Sequence, residues 1–238
     1  MSEKQRILVF GATGAIGSSI STHFSQNKWE VVTVSRTGVA SDSSGITSIV
    51  YDPLVSSPES SKLLDTGTPY TAVCWAQGRN ASDNVYNVNL EEHMAVYHAN
   101  CLYILATMKI LLEKQLLAPG ARLCIISSIW QNLARQDKLS YCMSKAALQG
   151  LVLSASADLA KDGILINAIL PGALDTPMTR QNLAVDQLQK LSTATYFNKL
   201  PSLDDVVNLA YFLCSAQNTG ITGQFIAADL GFSHVRLL

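Results

Sequence analysis

The sequence predicts an α/β fold: a seven-stranded, doubly wound parallel sheet with helices on both faces. Short apolar runs rich in β-branched residues alternate along the chain with segments of helical periodicity, the order expected of strand–helix–strand units. The strands are apolar on both faces, as expected of strands buried between two helical layers. The 238 residues, 48% hydrophobic and 15% charged, suit a single domain with a sizeable core over residues 1–238.

Seven strands are expected along the chain, separated by helical segments or turns. They are RILVF (6–10), EVVTVS (30–35), ITSIVY (46–51), TAVCWA (71–76), RLCIIS (122–127), ILINAIL (164–170) and GQFIAAD (223–229). Helices are expected at 15–26, weakly at 57–65, at 89–116, at 140–161 and in the more polar region 178–215. Asn89 is expected to cap the helix at 89–116, with Glu92 as its capping-box partner three residues on.

Composition and charge narrow the classes of partner. The formal net charge is −1, and no basic stripe indicates nucleic acid or an anionic membrane surface. Polar residues interrupt every apolar run before the ~20 residues needed to span a bilayer, so no membrane segment is expected. The first residues, MSEKQRILVF, lead into a glycine loop without a small-residue cleavage site, which argues against a signal peptide.

The five cysteines and four histidines show no metal-ligand spacing. The number of cysteines is odd, no CxxC pair occurs, and most lie in apolar runs, so we expect free thiols and a cytoplasmic protein. His93 and His98 stand five residues apart and do not share a helix face, so no metal site is expected.

A glycine-rich turn follows the first strand. Residues 8–17 read LVFGATGAIG, with Gly11, Gly14 and Gly17 between the strand and a helix that begins near Ala15. Glycine lets a backbone approach a pyrophosphate closely, and the first turn of a helix offers free N–H groups. The pattern predicts a dinucleotide site; the alternative is a tight strand–helix turn without a ligand.

The end of the second strand bears on the choice of cofactor. In dinucleotide-binding folds an acid at this place selects NAD, whereas an arginine accepts the 2′-phosphate of NADP. The strand ends Val34-Ser35-Arg36-Thr37, without an acid. Arg36 predicts NADP(H), and the alternative is a solvated surface arginine.

Four motifs together resemble a known family. They are GATGAIG near the start, Ser128 in IISS, Tyr141-Cys-Met-Ser-Lys145, and PGALDTP at 171–177. Tyr141 stands 13 residues after Ser128, and the strand after the helix ends in Pro-Gly. Over about residues 5–231 the chain resembles the short-chain dehydrogenase/reductase family, in its compact single-domain branch with a Rossmann fold. The resemblance implies an NAD(P)-dependent enzyme that acts on alcohols or carbonyls.

Tyr141 and Lys145 have a physical reason to occur four residues apart. This spacing places them on one helix face. A free phenol has a pKa near ~10, and a nearby ammonium stabilises the phenolate and lowers that pKa. Ser128 is expected at the carboxyl end of the fifth strand, where it can polarise a substrate carbonyl beside Tyr141. The alternative for Tyr141 is a half-buried helix aromatic without a chemical role.

The resemblance implies roles for further residues. Asn100, in HANCL (98–102), matches an asparagine that holds a water next to the lysine, and completes a catalytic set of Ser128, Tyr141, Lys145 and Asn100. Asp52 matches an aspartate that meets adenine. The implied cofactor contacts are Gly11, Thr13, Gly14, Ala15, Ile16, Gly17, Ser35, Arg36, Thr37, Asp52, Pro53, Ala76, Gly78, Tyr141, Lys145, Pro171, Gly172, Leu174 and Thr176. The alternatives are a polar helix position for Asn100, an Asp-Pro turn at Asp52, and a Pro-Gly strand end at Pro171.

The substrate pocket is expected near two segments. Trp130, Gln131 and Asn132 directly follow Ser128, and residues 176–200, which include Met178, are expected to form a mobile substrate loop. Arg180 or Lys199 in this loop either meets an acidic substrate group or is a solvated charge.

Three departures from the family pattern indicate a divergent member. Phe10 replaces a threonine before the glycine loop, where Ala15 replaces a glycine and Gly14 is extra. The segment 75–78 reads Trp-Ala-Gln-Gly where the family has Asn-Asn-Ala-Gly, and 229–231 reads Asp-Leu-Gly in place of Asp-Gly-Gly. A particular substrate therefore does not carry over.

The sequence thus predicts an NADPH-dependent carbonyl reductase or alcohol dehydrogenase acting on a small molecule. Two other classes stay open: a non-catalytic NADP-binding regulatory protein, and a same-fold enzyme such as an imine reductase, dehydratase or isomerase. The resemblance also implies a homotetramer or homodimer, with the helices at 89–116 and 140–161 packing across a two-fold axis.

Overall fold

Seven parallel strands form one sheet in the order β3-β2-β1-β4-β5-β6-β7, which confirms the predicted fold class. The structure is a computed structural model that describes residues 5–37, 45–56, 58–176, 179–180 and 184–235. The strands are β1 (Arg6–Phe10), β2 (Glu30–Ser35), β3 (Ile46–Val50), β4 (Tyr70–Trp75), β5 (Leu117–Ile126), β6 (Leu165–Pro171) and β7 (Phe225–Ala228).

Helices cover both faces of this sheet. They are α1 (Ala15–Gln26), α2 (Leu90–Tyr97), α3 (Tyr103–Glu113), α4 (Leu139–Asp158), α5 (Val185–Thr193) and α6 (Leu203–Cys214). One core cluster joins the sheet to α3 and α4 through side chains such as Ile104 and Leu148. The other joins it to α1 and α6 through Phe24 and Leu213. The chain winds outward from β1 to β3 and then returns to β4, so the direction of winding reverses between β1 and β4.

Most element boundaries agree with the sequence prediction to within a few residues, and three larger differences occur. β5 begins at Leu117, five residues before the predicted start, and a register shift against β4 accommodates Pro119 and Gly120, which has φ +67°. The weak helix near 57–65 is a 3-10 helix over Pro58–Leu64. The polar region 178–215 forms two helices, α5 and α6, and residues 177–178 and 181–183 lie outside the described residues.

The long helix at 90–113 contains an irregular turn. α2 and α3 are joined by a π-helical turn over His98–Leu102. Asn89 caps α2, since its Oδ1 accepts from the backbone N–H groups of Glu91 and Glu92. The predicted capping box is wrong because the Glu92 carboxylate pairs with Arg79 instead.

The same helix, Leu90–Glu113, is the one stretch in the described residues long and apolar enough to cross a membrane. Its place in the fold accounts for that composition. Ile104 and Leu111 lie in the core against the sheet. Of the most apolar 18 residues of this helix, 44% are buried.

Two of the departures from the family pattern contact each other. Phe10 on β1 and Trp75 on β4 are register partners, and their rings stack with centroids 5.8 Å apart. Trp75 Nε1 donates to Thr107 Oγ1 at 2.8 Å, so the indole N–H is satisfied in the core. The two replacements therefore form one packing unit beneath the glycine loop.

Candidate active site

The glycine loop after β1 has no room for side chains at two positions. Gly11 has φ +78°, and a Cβ there would lie 2.5 Å from Gln77 N. A Cβ on Gly17 would lie 2.3 Å from Gly11 O. At Gly14, by contrast, the nearest atom would be 3.5 Å away, so this extra glycine is not required by packing.

The exposed part of the loop fits a pyrophosphate group. Thr13, Gly14 and Ala15 are exposed, and no side chain caps α1, so its first backbone N–H groups remain available to a ligand. Ile16 is half-buried behind them. This narrow backbone cradle is what a dinucleotide phosphate needs.

The ends of β2 and β3 form a second part of the site. Ser35 is buried, and its carbonyl accepts from Tyr51 N at 3.0 Å, while Arg36 and Thr37 extend beyond the strand and are exposed. Asp52 Oδ1 accepts from Leu54 N at 3.0 Å, so the carboxylate closes the turn that contains the half-buried Pro53.

Tyr103 links the arginine and the aspartate of this corner. Burial raises the pKa of Tyr103, Asp52 raises it further, and Arg36 opposes both. Arg36 and Asp52 therefore both influence the pKa of the Tyr103 hydroxyl. Both residues were predicted from sequence to contact the adenine side of the cofactor.

Ser128 and Tyr141 contact each other at the carboxyl end of β5. Ser128 follows the strand and caps a 3-10 turn over Ile129–Gln131, its Oγ accepting from Trp130 N at 3.3 Å. Tyr141 lies in the first turn of α4. Burial raises the pKa of Tyr141, and a side-chain hydrogen bond with Ser128 opposes that rise. The phenol is therefore protonated at neutral pH.

Lys145 is buried one helical turn beyond Tyr141. Its Nζ donates to Ile126 O at 3.0 Å and lies 5.7 Å from the centre of the Tyr141 ring. Burial lowers the pKa of Lys145 to about 8, with Cys101 opposing. The ammonium is thus desolvated and close to losing its proton in the neutral to weakly alkaline range.

The expected effect of Lys145 on Tyr141 does not hold in this structure. The pKa of the phenol was expected to fall beside the ammonium, yet it is raised. Desolvation of the phenolate is the largest cause, and the ammonium is bound to the Ile126 carbonyl.

Asn100 is fully buried in the π-helical turn. Its Nδ2 donates to Arg79 O at 3.0 Å and to Ser144 Oγ at 2.8 Å, and its Oδ1 accepts from Arg79 N at 2.7 Å. A Cβ on Gly78 would lie 3.3 Å from Asn100 Oδ1 and 3.7 Å from Lys145 Nζ. Gly78 therefore lies close to both polar groups. The half-buried Ala76 stands two residues before it.

The segment after β6 lies against the end of β7. Pro171 ends the strand, and Gly172 N donates to Ala228 O at 3.1 Å. Leu174 and Thr176 are buried, and Thr176 Oγ1 accepts from Thr179 N at 3.2 Å.

Arg180 and Lys199, two charged residues of the predicted substrate loop, lie in different environments. Arg180 binds both carboxylate oxygens of Asp175, at 2.6 and 2.8 Å, which lowers the pKa of Asp175. Lys199 is exposed. Met178 lies outside the described residues, so the structure does not place it.

A narrow cleft opens beside Ser128, and Trp130 is part of its lining. Trp130 meets Phe232 edge to face, with ring centroids 6.1 Å apart. Gln131 is buried instead, with its Oε1 accepting from Ser127 Oγ at 2.8 Å. Leu191, Thr195 and Leu200 of the predicted substrate loop also line the cleft. Lining residues that lie outside the predicted segments include Ile129, Pro201 and Phe232. The sequence does not single them out as pocket residues, because apolar residues in a pocket wall and in the core look the same in sequence.

The remaining departure, at 229–231, lies at the rim of this cleft. The Asp229 carboxylate accepts from Gly231 N at 3.0 Å and Ser233 N at 2.9 Å. Leu230 has φ +53°, a left-handed conformation in which a leucine costs roughly 1 kcal/mol relative to glycine. The glycine of the family pattern therefore suits this backbone better.

Comparison with known proteins assigns the family. Residues 70–233 match a family model described as enoyl-(acyl carrier protein) reductase. The chain belongs to the short-chain dehydrogenase/reductase family and has its Rossmann fold.

Two curated relatives have different names. An enoyl-[acyl-carrier-protein] reductase [NADH] of Haemophilus influenzae is 29% identical over 68% of this chain, and the match spans only 62% of that relative's length. A 3-oxoacyl-[acyl-carrier-protein] reductase of Buchnera aphidicola is 26% identical over 96% of this chain and 97% of the relative.

Solved structures share the fold. A ligand-free aldohexose dehydrogenase of Thermoplasma acidophilum has a TM-score of 0.87 at 19% identity, covering 99% of this chain and 96% of that one. A gluconate 5-dehydrogenase of Burkholderia cenocepacia, in complex with NADP and tartrate, has a TM-score of 0.87 at 18% identity, covering 98% and 96%.

Proposed function

We propose that this protein is an NADPH-dependent oxidoreductase that reduces a carbonyl of a small molecule to an alcohol, or catalyses the reverse reaction. The observation that carries the proposal is the contact between Ser128 and Tyr141 at the sheet edge that also holds the glycine cradle. Two hydroxyl donors side by side suit one carbonyl oxygen on which negative charge develops during reduction.

The chain's own residues take the following roles in this proposal. NADPH supplies a hydride when bound. Ser128 holds the substrate oxygen, and Tyr141, protonated at neutral pH, donates the proton to it. Lys145 and Asn100, both close to Gly78, take part in returning a proton to Tyr141. The raised pKa of Tyr141 favours reduction over oxidation near pH 7, because oxidation needs the phenolate as base.

The experiment for this function is a substrate panel with purified protein and NADPH. It contains ketones, aldehydes, β-ketoacyl thioesters, enoyl thioesters and cyclic imines. We expect NADPH oxidation with at least one carbonyl class. Tight NADPH binding without turnover of any compound would favour the non-catalytic alternative, and turnover of imines alone would favour the imine reductase alternative.

Reduction of an enoyl thioester is a second candidate. The description of the family model and the Haemophilus relative favour it. The carbonyl reading is preferred because the 3-oxoacyl relative matches along nearly its whole length, whereas the enoyl relative matches along 62%. Turnover of enoyl but not β-ketoacyl thioesters in the panel would reverse this preference.

The choice of NADPH over NADH rests on Arg36, exposed at the end of β2 where no acid stands. We expect Arg36→Asp to weaken NADPH binding about 10- to 100-fold, because a charge-assisted contact to the 2′-phosphate is lost and a like charge is introduced. NADH binding should stay equal or improve. Fluorescence titration with both cofactors measures this.

A matched control lies beyond the opposite end of the same strand. Lys28→Asp makes the same charge change at an exposed position next to the amino end of β2, away from the site. It should leave both affinities unchanged. Equal affinity of the wild type for NADPH and NADH would contradict the cofactor assignment.

We also propose a homodimer or homotetramer that packs through α2–α3 and α4. Both helices present exposed apolar side chains, among them Leu105 at 52% and Leu153 at 50% exposure. Light scattering should give a mass of two or four chains, and Leu153→Glu should lower it. Val185→Glu, at an exposed apolar position on α5, is the control and should not. A monomeric wild type would contradict the proposal.

The five cysteines are all free thiols. This supports a reducing compartment, and we propose the cytoplasm.

A further inference from the structure

Gln77 carries an unusual pair of buried polar atoms. Both Oε1 and Nε2 of its side-chain amide are shielded from solvent and have no hydrogen-bond partner in the described part of the chain. Burying a primary amide without partners loses its hydrogen bonds to water and replaces them with none, so such groups in proteins nearly always meet protein, water or a ligand. Among the residues that the structure describes, none supplies a partner to either atom.

The position of Gln77 points to a ligand. It follows β4, and its N, Cα and Cβ atoms would lie 2.5–2.8 Å from a Cβ placed on Gly11, so its backbone packs against the glycine loop. The next residue, Gly78, lies beside Asn100 and Lys145. Gln77 therefore stands between the glycine cradle and the candidate catalytic groups, at the β1–β4 reversal where open α/β sheets bind ligands.

The chemistry of an amide suits this place. The loop at 11–17 reads GATGAIG and contains no charged residue, so a phosphate there depends on neutral donors. The Nε2 group offers two N–H donors, which suit phosphate oxygens, and Oε1 is an acceptor, which suits a ribose hydroxyl. The resemblance places an alanine at this position, which has no polar side chain, so the family pattern does not supply this group.

We propose that the side-chain amide of Gln77 is a contact to the pyrophosphate–ribose part of the dinucleotide and strengthens binding of the cofactor. The inference rests on the proposed function, and adds a contact that the glycine loop and Arg36 do not supply. Because the pyrophosphate and its riboses are common to NADPH and NADH, the contact contributes to both and does not select between them.

The test compares wild type with Gln77→Met, which keeps the length of the side chain but removes its polar atoms, and with Gln77→Ala. Fluorescence titration measures dissociation constants for NADPH, NADH and ADP-ribose. We expect all three constants to rise about 10-fold, as the loss of one good hydrogen bond requires.

Stability of the ligand-free protein separates a binding role from a structural one. Gln77→Met removes an unsatisfied buried amide, so its Tm without ligand should equal or exceed that of wild type. Gln224→Met serves as the control, since the Gln224 amide donates to Thr222 O beside β7. It should leave all three constants unchanged.

The outcomes distinguish this inference from the proposed function. A wild type that binds neither NADPH nor NADH would overturn both. A wild type that binds cofactor, with Gln77 variants that bind equally or more tightly, would overturn the Gln77 contact alone and would mean that the side chain obstructs the groove. A loss seen with NADPH and NADH but not with ADP-ribose would also overturn it, because the contact would then lie at the nicotinamide.

Discussion

Tyr141→Phe should abolish most of the turnover of whichever carbonyl compound the protein reduces. We expect kcat to fall about 10²- to 10⁴-fold, because the variant lacks the group that donates the proton while Ser128 remains in place. The dissociation constant for NADPH should not change. Stopped-flow kinetics and a binding titration on the same preparations measure the two quantities separately.

The control for this variant is Tyr86→Phe. Tyr86 is 96% exposed and lies outside the site, so the loss of its hydroxyl should leave kcat unchanged. Turnover by Tyr141→Phe near the wild-type level would remove Tyr141 from the mechanism. A parallel loss of NADPH binding would instead indicate a structural defect.

Lys145→Met should have two opposite effects. Activity should be lost, because the variant has no ammonium beside Tyr141 and Asn100. The ligand-free protein should become more stable at neutral pH by on the order of 1–3 kcal/mol, because a buried charge is replaced by an apolar side chain. Thermal unfolding and activity assays at pH 7 measure both effects.

The stability effect depends on pH with a definite sign. The pKa of Lys145 is lowered to about 8 in the folded protein from an ordinary value of 10.5. Between these two values the unfolded chain binds more protons than the folded one, so wild-type stability contributed by this group rises with pH. The advantage of Lys145→Met should therefore be fully present below about pH 8 and shrink toward pH 10.5. A stability difference that is constant over this range would contradict the burial of a charged Lys145.

The fold was predictable because its signals are local. β1, β2 and the glycine loop follow from runs of apolar residues and from Gly11 and Gly17, whose place a side chain cannot take. The close arrangement of Ser128 and Tyr141 follows from strand-end and helix-start positions 13 residues apart. Both patterns depend on residues that are close in sequence, so they can be recognised without a structure.

Other features depend on contacts distant in sequence. The π-helical turn at His98–Leu102 brings Asn100 to Arg79 and Ser144. The helical periodicity of the sequence does not predict such a turn. The raised pKa of Tyr141 likewise reflects burial by the whole fold, whereas the sequence displays only its spacing from Lys145.

The departures from the family pattern also acquire their meaning from contacts between residues that are distant in sequence. Phe10 and Trp75 each look like an isolated loss of a polar group, and only the pairing of β1 with β4 reveals them as a stacked pair. At Gln77 the sequence displays a substitution, but the burial of its unpartnered amide is what gives that substitution a role.

The proposed carbonyl reduction can be tested by following the hydrogen that leaves the cofactor. NADPH carrying deuterium at the transferable position of the nicotinamide is oxidised with the best substrate of the panel, and the product is examined by NMR and mass spectrometry. We expect one deuterium on the carbon that bears the new hydroxyl group, and about 10²- to 10⁴-fold less of this product from the same incubation with Tyr141→Phe. Deuterium on a carbon of a reduced C=C bond, or none in the wild-type product, would contradict it.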